Sequence, residues 1–273
     1  MAQQTGPVAI DVTSHGSRVH GRFFPALGTG LKPTLLLVPG FPGNPNGVLD
    51  LGNLLPGMGV NVMMFNPRGM WASDGSFSFA NTIEDIDAAL SWLSTSDVQQ
   101  RFQIDQARIT LGGHSFGGGT ATVYAAKHPS VRRLISISGS DPGEMVAGIL
   151  AGVTDIYSAH KVFPEFVYIG PASSATASPV RVLDFDTALD ALKKTGNIYN
   201  LRDAAPGVAD RSILLTGGWE DTVVTVDQTV LPFYRALKKA KADDVTFLVY
   251  HTDHMYGSVS QRLASDIRQW LSR

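Results

Sequence analysis

The stretch LGGHSFGGGTA, Leu111 to Ala121, surrounds one serine, Ser115, with five glycines. A glycine inside a helix or strand costs roughly 0.5–1 kcal/mol relative to alanine, so five together mark a backbone path that bulkier residues cannot follow. An apolar run, Arg108–Gly113, precedes the serine, and a helical pattern from Thr120 to His128 follows it. Strand, sharp turn and helix form the context that a G-x-S-x-G motif requires, and Gly113-His114-Ser115-Phe116-Gly117 fits it. Such a turn holds the serine at strained backbone angles and needs small flanks so that strand and helix can approach. It projects the hydroxyl above a sheet at the positive end of a helix. A phosphate-binding P-loop would need a lysine that is absent here, and a dinucleotide fingerprint would need glycine where His114 and Ser115 stand. A purely structural turn stays open on the motif alone.

Outward from this turn, short apolar runs alternate with helical patterns. Thr34–Gly40, Asn61–Gly69, Arg133–Gly139, Ser212–Gly218 and Val245–His251 repeat the character of Arg108–Gly113. Near-continuous apolar runs suit strands covered on both faces of a parallel sheet. Between them, Ile83, Ile86, Leu90 and Leu93 share a helical face, with Asn81 and Glu84 as a capping box at its start. Leu263, Ile267 and Leu271 mark a last helix. The alternation predicts an α/β fold with a doubly wound, mostly parallel sheet. Val8–Val12 and Arg18–Phe24 alternate apolar with polar residues and meet at SHGS, which predicts an antiparallel hairpin on the sheet edge.

The alternation lapses between Asp141 and Asp210. One helix is expected around Met145–Val153 and another around Ala188–Leu192, with the aromatic patch VFPEFVY (Val162–Tyr168) and the small-residue stretch PASSATASP between them. Residues 1–140 and 211–273 therefore read as the core. Residues 141–210 read as a cap-like insertion over the carboxyl edge of the sheet, where α/β proteins bind ligands, or as a structural excursion away from any ligand.

Composition narrows the class. The 273 residues are 44% hydrophobic and 17% charged with a net charge of −2, as in an ordinary globular protein with a substantial core. The charge balance gives no reason to expect a nucleic-acid or anionic-membrane partner. The absence of cysteine removes disulfides, thiolate metal sites and cysteine nucleophiles. The amino-terminal residues lack the charged start and apolar run of a signal peptide, and no segment has the length of a membrane span. A soluble, cytoplasmic protein is expected, with its oligomeric state open.

A serine hydroxyl becomes a strong nucleophile when a histidine takes its proton and a carboxylate holds that histidine in the right tautomer. In a doubly wound sheet both partners belong just past later strand ends. Asp221, in SILLTGGWEDTVV, and His254, in FLVYHTDHMYG, occupy such places. Asp141, after the strand Arg133–Gly139, is an alternative carboxylate. Glu220 adjoins Asp221 but points elsewhere, and His251 comes too early to swing over Ser115. An oxyanion site needs two backbone N–H groups. Phe116 follows the nucleophile and supplies one. Phe41, in the loop VPGFPGNPNG (Val38–Gly47), supplies the other, since Pro42 has no N–H. Phe41, Trp71, Trp219, Met255 and the patch Phe163–Tyr168 are candidate pocket walls.

These residues give the chain a resemblance to the α/β-hydrolase superfamily over nearly its whole length. It is carried by LLLVPGFPG, FNPRGMWASDG, IDQARITLGGHSFGGG, GGWEDTVV and HTDHMYG, and by the chain order Ser115, Asp221, His254. IDQARITLGGHSFGG is similar to the stretch in dienelactone-hydrolase-like and prolyl-oligopeptidase-type hydrolases. FNPRGMWASDG resembles the family's D-x-R-G-x-G-x-S loop, with Asn66 in place of the aspartate and Trp71 in place of a glycine, and VPGFPG lacks the common loop histidine. The resemblance implies a serine esterase with Ser115 as nucleophile, His254 as base and Asp221 as its orienter, acting on a small-molecule ester with no metal or organic cofactor. Peptidase, perhydrolase or lactonase chemistry on the same triad stays open, as does a non-catalytic ligand-binding protein of this fold.

Overall fold

Six of the apolar runs and the amino-terminal hairpin form one eight-stranded sheet. The computed structural model of the chain describes residues 6–44, 46–144, 147, 151, 167–169, 180–182 and 198–273. The strands are β1 (Val8–Ser14), β2 (Ser17–Phe24), β3 (Lys32–Val38), β4 (Asn61–Phe65), β5 (Ile104–His114), β6 (Arg133–Ile137), β9 (Ser212–Gly218) and β10 (Val245–Tyr250), with β7 (Val167–Ile169) and β8 (Val180–Val182) paired separately. The order across the large sheet is β1-β2-β4-β3-β5-β6-β9-β10. β2 runs antiparallel to both β1 and β4, and every other pairing in that sheet is parallel.

The strand order reverses between β3 and β5, because β4 lies on one side of β3 and β5 on the other. Val38 pairs with Gly113 at the carboxyl ends of those strands, so the loops that follow emerge side by side. This is the switch point where open α/β sheets bind ligands.

Helices cover both faces. On one, α2 (Phe79–Leu93), α4 (Phe116–Lys127), α5 (Leu201–Val208) and α6 (Leu231–Lys239) bury residues such as Ile86, Ala121, Leu201, Ala205 and Leu237. On the other, α1 (Leu51–Leu54) and α7 (Ser260–Leu271) bury Leu51, Leu263, Ile267 and Trp270. A short helix, α3 (Ser96–Phe102), leads into β5. The buried runs in β3 and β4 match a doubly covered parallel sheet, whereas β10 is half exposed along most of its length because it is an edge strand.

One local expectation shifts. The first long helix begins before Asn81. Its cap is Ser78, extended at φ −154°, whose hydroxyl accepts the Asn81 N–H at 3.0 Å. Glu84 is thereby free to pair with Arg68, whose Nε also donates to the buried Asp85 at 2.6 Å. Of the stretch 141–210, the helices expected around Met145–Val153 and Ala188–Leu192 and most of the aromatic and small-residue segments lie outside the described residues. Its final part, α5, packs into the larger core, and Val180 forms an isolated antiparallel bridge with Met70.

Candidate active site

Ser115 caps α4 with φ 55° and ψ −123°, a combination sparsely allowed for any residue with a β carbon. Hydrogen bonds hold the turn on both sides. Ser115 N–H donates to Ile137 O at 2.9 Å, and Ser140 N–H donates to Ser115 O at 2.9 Å. Each of the five glycines meets its own steric limit. A β carbon on Gly113 would lie 2.2 Å from the Gly117 backbone, and one on Gly117 would lie 2.2 Å from Val38 O. On Gly118 and Gly119 it would strike Gly139 Cα at 2.8 Å and Ser140 O at 2.1 Å, while on Gly112 it would press Ile135 and Leu35 at 3.1 Å. The glycines let α4 start directly against β3, β5 and the end of β6.

The loops after β9 and β10 run together. Trp219 N–H donates to Tyr250 O at 2.9 Å and Glu220 N–H to Thr252 O at 3.1 Å. Gly218 permits this, since a β carbon there would stand 2.4 Å from Thr252 O. The pairing brings Asp221 to His254, whose Nδ1–H donates to Asp221 Oδ2 at 2.7 Å. The Asp221 carboxylate has no exposed surface and the His254 side chain is 14% exposed. Asp221 also accepts the Val223 and Val224 N–H groups at 2.9 and 2.8 Å. Burial pushes this carboxyl up, but the His254 and backbone hydrogen bonds outweigh it and hold the group below the usual aspartate range.

The competing residues are engaged elsewhere. Asp141 accepts N–H groups from Gly143, Glu144 and Leu201 at 3.0 to 3.1 Å, so it ties α5 to the turn after β6. Burial raises its carboxyl above the usual range. Glu220 faces His251, which is exposed. His20 and His128 hydrogen-bond to Asp11 and the Tyr124 carbonyl, and the exposed His15 lies 3.7 Å from Glu84.

The β3 loop reaches the serine. A β carbon on Gly40 would lie 3.1 Å from Ser115 Cβ, and Gly43 N–H donates to Gly40 O at 2.7 Å across the cis Phe41–Pro42 bond. Asn66, at the end of β4, clamps this loop. Its Oδ1 accepts the Asn44 N–H at 2.8 Å and its Nδ2 donates to Asn44 O at 3.2 Å. Gly40, the residue before Phe41, therefore stands beside Ser115, and Phe116 follows the serine at the start of α4, where a helix leaves its first N–H groups without intrahelical partners. Among the described residues no hydrogen bond joins the Ser115 hydroxyl to His254, and no group of three or more His, Asp or Glu stands together as a metal site.

Around the serine, Phe41, Phe77, Phe116, Phe79 and Tyr199 form a chain of rings with centroids 5.2 to 5.6 Å apart. Phe79, Phe116 and Tyr199 are buried in the larger core and Phe77 packs against it. The sequence reading singled out none of Phe77, Phe79 and Tyr199, and the alternating phenylalanines of SFSFA (Ser76–Ala80), where α2 begins, were a local sign of the first two only. The Trp71 indole lies against Gly43. Trp219 and Met255 are 59% and 61% exposed, on the rim rather than in an enclosed wall. A separate cleft of about 740 Å³ is lined by Arg132, Arg211, Ser212 and Asp244, at the amino ends of β6, β9 and β10 and away from Ser115.

Comparison with known proteins agrees with this architecture. The family model described as the alpha/beta hydrolase fold matches residues 33–171. The chain belongs to the α/β hydrolase fold family. As an α/β hydrolase it is similar to the uncharacterized protein Rv2307c of Mycobacterium tuberculosis, with 32% identity over 126 residues, 45% of this chain and 43% of that one. It thus spans less than half of that relative's length. Among solved structures it resembles Est1E of Butyrivibrio proteoclasticus with a TM-score of 0.69 and 15% identity, covering 97% of each chain. It also resembles the Pyrococcus furiosus esterase Pf2001, with a TM-score of 0.66 and 15% identity over 98% of this chain and 93% of that one. At such identities these likenesses speak for the fold. No helix among the described residues is long and apolar enough to cross a membrane.

Proposed function

We propose that this α/β hydrolase is a serine carboxylesterase acting on esters of small to medium, uncharged acyl groups. The observation that carries the reading is the 2.7 Å Asp221–His254 hydrogen bond, made by two loops at the same sheet edge as the strained Ser115 turn. Family membership and the esterase among its structural likenesses support it as well.

In this reading His254 Nε2 takes the proton of the Ser115 hydroxyl as Oγ attacks the ester carbonyl carbon. Asp221 keeps the Nδ1–H tautomer in place and stabilises the imidazolium that forms. The Phe41 and Phe116 N–H groups hold the tetrahedral oxyanion. Collapse breaks the ester C–O bond, and the alcohol leaves with the proton from His254. Water, deprotonated by His254, then attacks the acyl-serine and releases the acid. The exposed Phe41 ring, next to Gly40 at the serine, favours an apolar acyl group, and Trp71, Trp219 and Met255 flank its approach.

The test is fluorophosphonate labelling together with turnover of p-nitrophenyl esters of increasing acyl length, for the wild type and Ser115→Ala. Labelling and turnover that vanish together in the variant support the serine esterase, and the length profile sizes the pocket. A folded wild type that neither labels nor hydrolyses any ester overturns the reading in favour of a ligand-binding protein.

A further inference from the structure

His114, the residue before the nucleophile, is buried, and its Nε2 lies 2.9 Å from the backbone carbonyl oxygen of His254. A carbonyl can only accept, so Nε2 carries the proton and Nδ1 is bare. The bare Nδ1 faces the start of the β3 loop, 3.3 Å from where a β carbon on Gly40 would stand. The ring centroid is 4.6 Å from that of His254 and 6.3 Å, edge-on, from that of Tyr256. One imidazole thus touches the backbone of the proposed base and the loop of the proposed oxyanion site, and it is joined to the nucleophile by a single peptide bond.

Besides the pairing of Glu220 N–H with Thr252 O, the His254 loop is held at two further places. Asp221 grips Nδ1 and so fixes the rotation of the ring. Tyr256 anchors the loop two residues on, its hydroxyl 2.9 Å from Ser138 Oγ and 3.1 Å from Thr216 Oγ1 at the ends of β6 and β9. None of these three contacts joins the His254 backbone to the His114–Ser115 turn. The His114 hydrogen bond does, because it ties the two segments directly. We infer that His114 is a positioning residue of the proposed acyl transfer, setting the distance of the His254 ring from Ser115 through its Nε2–H bond to the His254 carbonyl. Burial, and then the neighbouring His254 charge, lower its pKa to about 4, so it stays a neutral donor while His254 gains and loses a proton. The inference rests on the serine-esterase reading.

The test compares His114→Gln, whose side-chain amide keeps an N–H at similar reach, with His114→Leu, which fills similar volume without a donor. His114→Leu should lower kcat and the fluorophosphonate labelling rate on the order of tenfold to a hundredfold, the scale of a small misplacement of reacting groups. KM should stay within about twofold, and His114→Gln should recover most of the rate. Equal rates in wild type and His114→Leu, or equal losses in both variants, overturn the inference. Should His114→Leu fail to fold, nitrogen-15 NMR of the wild-type histidines decides. A neutral Nε2–H tautomer for His114 from about pH 5 to 8 supports the bond, and an Nδ1–H tautomer or a midpoint near the usual histidine value overturns it. A wild type that does not label refutes the esterase reading and the inference with it, whereas a wild type that labels at the same rate as His114→Leu refutes the inference alone.

Discussion

At the scale of single residues, the decisive matter is which carboxylate holds His254. Asp141 and Asp221 both follow strand ends, so the sequence leaves the pair open. Their hydrogen bonds separate them. Asp221 accepts from His254, while all the partners of Asp141 are backbone N–H groups of its own turn and of α5. Replacing the two should therefore damage different properties. Asp221→Asn would favour the wrong histidine tautomer and lower kcat by on the order of 10⁴-fold. Asp141→Ala would strand buried N–H groups and cost roughly 1–3 kcal/mol of stability, with kcat largely kept. Steady-state kinetics and denaturant unfolding on both variants check this, and a collapse of kcat in Asp141→Ala with little effect in Asp221→Asn would reverse the assignment.

At the scale of elements, what was legible in the chain was what sequence neighbours decide. The turn around Ser115 is such a case, because its glycines answer steric limits set by strand and helix meeting at one point. The apolar runs of β3, β4, β5, β6 and β9 are another. Through-space meetings were hidden. Asn66 and Asn44 lie 22 residues apart and nothing between them announces a clamp. The rings of Phe79 and Tyr199 meet across a still longer separation. Helix α5 was masked by Pro206 within it and by Gly207, whose lack of a side chain lets the helix approach Ala126 O, where a β carbon would stand at 2.6 Å. The clamp makes a graded prediction. Asn66→Ala loses both bonds to the β3 loop, whereas Asn66→Asp keeps an acceptor for the Asn44 N–H and loses only the donor to Asn44 O. With Phe41 N–H as an oxyanion donor, kcat should fall on the order of tenfold or more in Asn66→Ala and less in Asn66→Asp, with KM little changed. Unchanged kcat in Asn66→Ala would separate the loop from catalysis.

At the scale of the whole molecule, the sheet joins two cores, and the Ser115 turn with its neighbours sits where the loops of four strands converge. A buried imidazole at that junction makes global stability depend on pH. In the unfolded chain His114 binds a proton near the usual 6.5, whereas in the fold it resists protonation down to about 4. Between those values only the unfolded chain gains the proton, so stability falls as the pH is lowered through this window and is recovered as it rises. The depressed Asp221 acts lower down. Its contribution is present above the ordinary aspartate value of 3.8 and is lost only as pH falls through the still lower folded value. The two windows therefore do not coincide. Denaturant unfolding at several pH values between about 7.5 and 4.5 should show the wild type losing stability more steeply than His114→Gln. The gap belonging to His114 approaches on the order of 3 kcal/mol if the whole window is crossed. Parallel curves for the two proteins would mean that His114 takes up its proton in the fold over the same pH range as in the unfolded chain, and so is protonated at the acid end of the series. The carbonyl of His254 would then face a cation rather than a neutral donor.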